Sequence, residues 1–159
     1  MGRSDAVPNV TIARESPLQD EVVQLIEELD RYLGDLYPAE SNHLLDLQSL
    51  AKPDIRFLVA RRSGTVVGCG AMRIDTEDGY GEVKRMFVQP TARGGQIGRR
   101  LLERIEDEAR AAGLSLLRLE TGVYQDEAIA LYRKQGFTDR GPFGPYGPDP
   151  LSLFMEKPL

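Results

Sequence analysis

The chain has 159 residues, 41% of them hydrophobic, with a formal net charge of −5, one Cys and one His; that size suits one domain over residues 1–159 with a buried core. The lone Cys69 excludes an intrachain disulfide and one His leaves no zinc ligand set, while the acidic balance argues against general nucleic-acid binding, which needs Lys and Arg to displace phosphate counterions. No window approaches the roughly 18 apolar residues of a membrane span, and Met1 to Asn9 has no signal-peptide core, so the expectation is a soluble cytoplasmic protein with no metal, membrane or nucleic-acid partner.

Val10 to Arg14 alternates as a half-buried strand does. Ser16-Pro17-Leu18-Gln19 then predicts a helix start, with Ser16 as N-cap, Pro17 in the first turn and Gln19 completing a capping box. Leu18, Val22, Leu25, Ile26, Leu29 and Leu33 make its apolar stripe, and Gly34 is placed to end it. A short helix capped by Ser41 is expected through Leu50, before Lys52-Pro53. Ile55 to Arg61, Thr65 to Asp75 and Gly81 to Val88 read as an antiparallel meander, the first two joined by Ser63-Gly64. A long helix follows from Ile97 to Gly113, then a strand Leu116 to Thr121, a helix Ala128 to Gln135, a strand from Phe137 and a last strand Leu151 to Glu156. The stretch Gly141 to Pro148 is a Gly and Pro loop. The order is βααβββαβαββ, a mixed α/β arrangement.

Between the third strand of the meander and the long helix lies Arg93-Gly94-Gly95-Gln96-Ile97-Gly98-Arg99-Arg100. Glycines let backbone approach a bulky ligand, and free amides at a helix N-terminus point at it with the positive end of the dipole. A diphosphate suits such a turn, and the arginines add charge of the right sign. The same glycines would equally shape a loop with no ligand. A Walker loop needs Gly-Lys-Ser/Thr and a dinucleotide fingerprint needs G-x-G-x-x-G after a first strand; neither is present.

These residues, together with Ala128 to Phe137, which carries Leu131-Tyr132 and Gly136-Phe137, and with the Glu82 to Val88 strand, resemble the GNAT superfamily of N-acetyltransferases from Val10 to Lys157. The resemblance implies an α/β fold whose central, mostly antiparallel sheet splays between helices, and acetyl-CoA as co-substrate. It assigns the pyrophosphate to Arg93, Gly94, Gly95, Gln96, Ile97, Gly98 and Arg99, with Gln96 where the family usually has Gly. It assigns pantetheine contacts to the strand at Met86 and Val88, with Phe87 between them also expected to bind the cofactor, and a further contact to Gln125, where the family often has Asn. A homodimer is suggested on the same ground.

Acetylating an amine needs an unprotonated nitrogen, a polarised thioester carbonyl and a proton for the departing thiolate. An alkylammonium with a pKa of about 10 needs help to lose its proton at neutral pH. Glu82 matches the family's base position, its plainer reading being a strand Glu paired with Arg or Lys. Backbone amides near Phe87 and Val88 would meet the thioester oxygen. Tyr132 matches the acid that protonates sulfur, its plainer reading being an aromatic packed in the core. Cys69 has no His near it in sequence, which favours direct transfer over an acetyl-cysteine. The acceptor is expected between the segment carrying His43 and the loop carrying Phe143, Tyr146 and Asp149, with Glu40, Asp46 or Asp149 available to a cationic amine. The leading expectation is N-acetylation of a small amine or amino acid derivative. The rivals are a cofactor-sensing module without turnover and acetylation of a protein amine or charged tRNA.

Overall fold

A computed structural model describes residues 9–41, 46–94 and 96–159. Seven strands form one sheet in the order β1-β2-β3-β4-β5-β7-β6. They are β1 Val10–Arg14, β2 Ile55–Arg62, β3 Thr65–Asp75, β4 Tyr80–Val88, β5 Leu116–Gly122, β6 Thr138–Arg140 and β7 Ser152–Pro158. All neighbours are antiparallel except β4 and β5. The helices are α1 Asp20–Leu36, α2 Leu47–Leu50, α3 Ile97–Ala111 and α4 Asp126–Lys134, so the element order is the expected one. Among the described residues no helix is long and apolar enough to cross a membrane, and no cluster of three or more His, Cys, Asp or Glu could hold a metal.

The sheet separates two apolar clusters. On one face Leu101, Leu102, Ile105 and Ala109 of α3 pack on Leu58, Met72, Val83, Leu117 and Leu119. On the other Val22, Leu25, Ile26, Leu29 and Leu33 of α1 pack on Phe57, Val59, Cys69, Ala71 and Phe87. Strand β2 feeds both, with Phe57 and Val59 on one side and Leu58 and Ala60 on the other, which is why its sequence is a continuous apolar run rather than an alternation.

Three local expectations are corrected. Helix α1 begins at Asp20, not after Ser16. The Ser16 hydroxyl accepts from the Leu18 amide at 3.1 Å, and the Gln19 side chain bonds the Ser16 carbonyl and the Glu15 carboxylate, both at 3.0 Å. The box residues therefore build a turn of their own, and Leu18 is left exposed. Nor does Gly34 end the helix: α1 runs on to Leu36, and the Tyr37 amide closes it on the Leu33 carbonyl at 3.0 Å. Burial of Leu33 and Tyr37 outweighs the roughly 1 kcal/mol that glycine costs a helix interior. Among the described residues Ser41 caps no helix. It ends a 3-10 turn, Ala39–Ser41, and donates to Asp149 at 2.8 Å, while α2 is capped by Asp46, which accepts from the Ser49 amide at 2.8 Å.

Two irregularities open the middle of the sheet. Parallel pairing of β4 with β5 covers only Gly81–Val83 against Leu117–Leu119, after which the strands part. Within β4, Cys69 pairs Phe87 but Ala71 pairs Lys84, so an extra residue is bulged out, and Arg85 takes the left-handed φ of 58°. Gly70 opposite makes room, since a Cβ there would come within 2.6 Å of the Met86 sulfur.

Candidate active site

The opening between the strands holds two connected spaces. A groove of about 610 Å³ runs from the β4 end over the α3 N-terminus to α4. A smaller cavity of about 80 Å³ lies behind it, between α1, β4 and β5. Leu29, Met86, Gln125 and Tyr132 border both, so the spaces meet at those residues.

The groove gathers the residues expected to hold the cofactor. Met86, Phe87 and Val88 come from β4, and Arg93, Gly94 and Gln96 from the turn. Ile97, Gly98 and Arg99 start α3, and Gln125 precedes α4. Gly95 lies outside the described residues. The Gln89 amide donates to the Val67 carbonyl of β3 at 2.9 Å. By strand alternation the Val88 amide and carbonyl then turn to the opened side and the Phe87 amide turns to β3. Of the two amides expected to meet a thioester oxygen, only that of Val88 faces the groove by this parity. Its carbonyl accepts from Arg93 Nε at 3.1 Å, and the Arg93 guanidinium crosses to Glu127 of α4 at 3.2 Å.

Gln96 is the N-cap of α3 and sits at φ 62°, the left-handed conformation a glycine would adopt freely. Its side-chain oxygen accepts from Arg99 Nε at 3.0 Å. That bond offsets part of the strain and draws Arg99 back over the turn. Gly98 permits the close approach of α4: a Cβ there would sit 3.2 Å from Leu131. Free first-turn amides, two arginines and an apolar wall fit a phosphate-bearing thioester such as acetyl-CoA.

At the junction Tyr132 is buried, its ring tilted against Phe137 at 5.8 Å. Burial first, and the Glu120 carboxylate second, push its phenol well above the usual range, so it stays protonated near neutrality. That is the state a proton donor needs.

The expected base is placed differently. Glu82 is only 2% exposed and borders neither space. Its carboxylate meets Arg73 at 3.4 Å, Lys84 at 3.2 Å and the Tyr146 hydroxyl, which donates to it. The carboxylate that does line the cavity is Glu120 of β5, one residue past the last bridged pair, held by Ser152 Oγ at 2.7 Å. Burial raises the phenols of Tyr37, Tyr132 and Tyr146, and Glu120 adds to the rise, second at Tyr132, behind Glu82 at Tyr146 and last among the causes at Tyr37. No sequence signal distinguished Glu120 from any other strand Glu.

Phe143 and Tyr146, expected to touch substrate, border neither space. Phe143 packs among Tyr80, Tyr146 and Phe154 with ring centroids 5.2 to 5.9 Å apart. The Tyr146 hydroxyl accepts from Lys84 at 2.9 Å. The loop thus closes the sheet behind the cavity wall. Asp149 is engaged by Ser41 and by the Leu151 amide, and Asp46 by its cap. His43 lies outside the described residues. Tyr37 and Tyr124 also line these spaces without a signal in the sequence: the Tyr37 hydroxyl accepts from the Tyr124 amide at 3.0 Å, and the rings stack at 5.5 Å. Gly122 is required beneath them, because any Cβ would overlap the Tyr37 hydroxyl.

Cys69 is fully buried, its thiol donating to the Arg85 carbonyl at 3.2 Å, and burial pushes it up to about 12. Roughly one molecule in ten thousand would carry the thiolate at pH 8. Iodoacetamide at that pH is expected to leave the native protein unmodified over hours by mass spectrometry and to alkylate it fully in denaturant.

A splayed β4–β5 edge, a helix N-terminus beside it and a buried tyrosine at the junction are what a transferase that uses acyl-CoA would need. The chain matches the acetyltransferase (GNAT) family over residues 22–137, and it belongs to that family, which uses acetyl-CoA. An IAA acetyltransferase of Azospirillum brasilense is 92% identical over 96% of this chain and 100% of that protein. The uncharacterized N-acetyltransferase YsnE of Bacillus subtilis is 36% identical over 87% of this chain and 93% of its own length. The crystal structure of a putative acyl-CoA N-acyltransferase from Klebsiella pneumoniae superposes with a TM-score of 0.80 at 42% identity, covering 94% of this chain and 97% of that one. The protein is an acyl-CoA-dependent acetyltransferase.

Proposed function

We propose that the chain acts as a single catalytic domain that moves the acetyl group of acetyl-CoA to the amine of a small molecule by direct attack within a ternary complex. The observation that carries this reading is the junction, where Tyr132 borders both spaces and Glu120 lines the inner one. Acetyl-CoA supplies the thioester. The chain's residues supply the rest. The Val88 amide, turned to the opening, polarises the carbonyl. Glu120, in place of Glu82, takes an ammonium proton directly or through water. As the nitrogen–carbon bond forms, the carbon–sulfur bond breaks and its electron pair goes to sulfur, which receives the Tyr132 proton. Of the two protons an ammonium loses in becoming an amide, one leaves through Glu120 and the other balances the one given to sulfur.

A covalent route through Cys69 is disfavoured by its burial and raised pKa. The cavity's about 80 Å³ suits a compact acceptor, and the name of the Azospirillum brasilense relative supports a small-molecule one. The test is release of free coenzyme A thiol from acetyl-CoA across amines, amino acids and peptides, with mass spectrometry of the product. An acetylated small amine is the expected outcome; acetylation of peptides alone would overturn the small-molecule reading.

A further inference from the structure

We propose that the acceptor is a compact zwitterion, an amine that also carries a carboxylate, with the anion seated on Arg85 and the amine turned toward Glu120 and Tyr132. The proposal rests on the transferase reading above and adds to it the class of substrate.

The argument begins with the bulge in β4. Were the strand regular, residue 85 would share a face with Val83, which packs under α3. The extra residue sends Arg85 to the opposite face, where it meets Asp30 of α1 and borders the cavity. A non-glycine residue in the left-handed region persists only where surrounding structure holds it, and such positions cluster at ligand sites. What the strain achieves here is the placement of a guanidinium, with its side chain only 4% exposed, in the wall of a cavity that has room for ligand.

The walls of that cavity are electrically unlike. Strand β4 contributes Lys84 and Arg85, and β5 contributes Glu120 across the splay. Lys84 is engaged from behind by Glu82 at 3.2 Å and by the Tyr146 hydroxyl at 2.9 Å. Arg85 is paired to a carboxylate of a different kind: Asp30 is 44% exposed and regains water readily when displaced. An incoming carboxylate that takes its place exchanges one anion for another, so the buried cation is never left uncompensated. The guanidinium fork also matches carboxylate geometry in a way an ammonium does not. An amine without a carboxylate would offer Arg85 nothing, and a diamine would bring a second cation against it. A zwitterion matches both walls.

The test compares matched pairs on the unaltered enzyme at saturating acetyl-CoA: the standard amino acids, β-alanine and 4-aminobutyrate, each beside its carboxamide. An amide keeps the size and the amine and removes only the anion. At least one amino acid is expected to exceed its amide by roughly 100-fold in kcat/KM. Calorimetric binding to the enzyme held with coenzyme A should show the same order. In Arg85→Met that ratio should collapse to near one, chiefly through a KM raised roughly 50-fold, and Arg85→Lys should restore part of it. Amides or simple alkylamines turned over as well as the amino acids would overturn the zwitterion and leave the transferase reading standing. Thiol release with none of the amines would remove both.

Discussion

Tyr132→Phe is expected to lower kcat by roughly 100- to 1,000-fold while the KM for acetyl-CoA stays within about twofold, the signature of losing a proton donor. The magnitude follows from the site. The phenol is buried at the junction of groove and cavity, and burial together with the Glu120 charge keeps it protonated through the physiological range. Phenylalanine fills the same volume and keeps the contact with Phe137, so stability should barely change. No hydrogen bond to this hydroxyl is present among the described residues, so its removal strands no partner. The loss should also be larger for an acetyl thioester than for an activated acetyl donor whose leaving group needs no proton. Steady-state kinetics with the two donors, alongside thermal melts, tests this, and an unchanged kcat would remove Tyr132 from the chemistry.

The second large effect separates two carboxylates. Glu120→Gln is expected to reduce kcat/KM for the amine by roughly 100-fold near pH 7, with the deficit shrinking as pH approaches 10. The sign follows from the acceptor: an alkylammonium with a pKa of about 10 sheds its own proton at alkaline pH, and a base is then no longer needed. Glu82→Gln should behave otherwise. Its carboxylate is enclosed by Arg73, Lys84 and the Tyr146 hydroxyl, so neutralising it leaves two cations short of a partner. Because those cations are partly exposed, the loss is set below the full buried-pair range, at about 2 kcal/mol. That corresponds to a melting point lower by roughly 4–8 °C for a domain of this size. Paired pH profiles and melts of the two variants read both effects. A catalytic loss relieved by pH in Glu82→Gln, and absent in Glu120→Gln, would return the base to Glu82.

The proposed exchange of one glutamate for another as the base shows where sequence reasoning stops. The groove was legible because its residues are contiguous: Arg93 to Arg99 form one turn and the start of one helix, and local conformation suffices to bring them together. The place of Tyr132 beside the groove was legible for the same reason, since it lies in a helix that ends in Gly136-Phe137. Glu120 was not. It differs from other strand glutamates only in standing one residue beyond the point where β4 and β5 part, and that point depends on a pairing between distant segments. Arg85 was hidden more deeply, since strict alternation from Val83 would put it on the α3 face and only the bulge turns it toward α1. Phe143 and Tyr146 stood in the expected loop, but the loop packs over Tyr80, Phe154 and Glu82 and borders neither space.

By itself the sequence determined the order of elements, the apolar faces that α1 and α3 turn to the sheet, and the Gly-rich turn ahead of α3, because each depends on periodicity or on neighbours within a few residues. Tertiary structure decided the helix boundaries at Ser16, Gly34 and Ser41, where hydrogen bonds and burial outweighed local propensity. It decided also which charges line the inner cavity, because a one-residue bulge reverses the side to which Arg85 points and the end of one ladder uncovers Glu120.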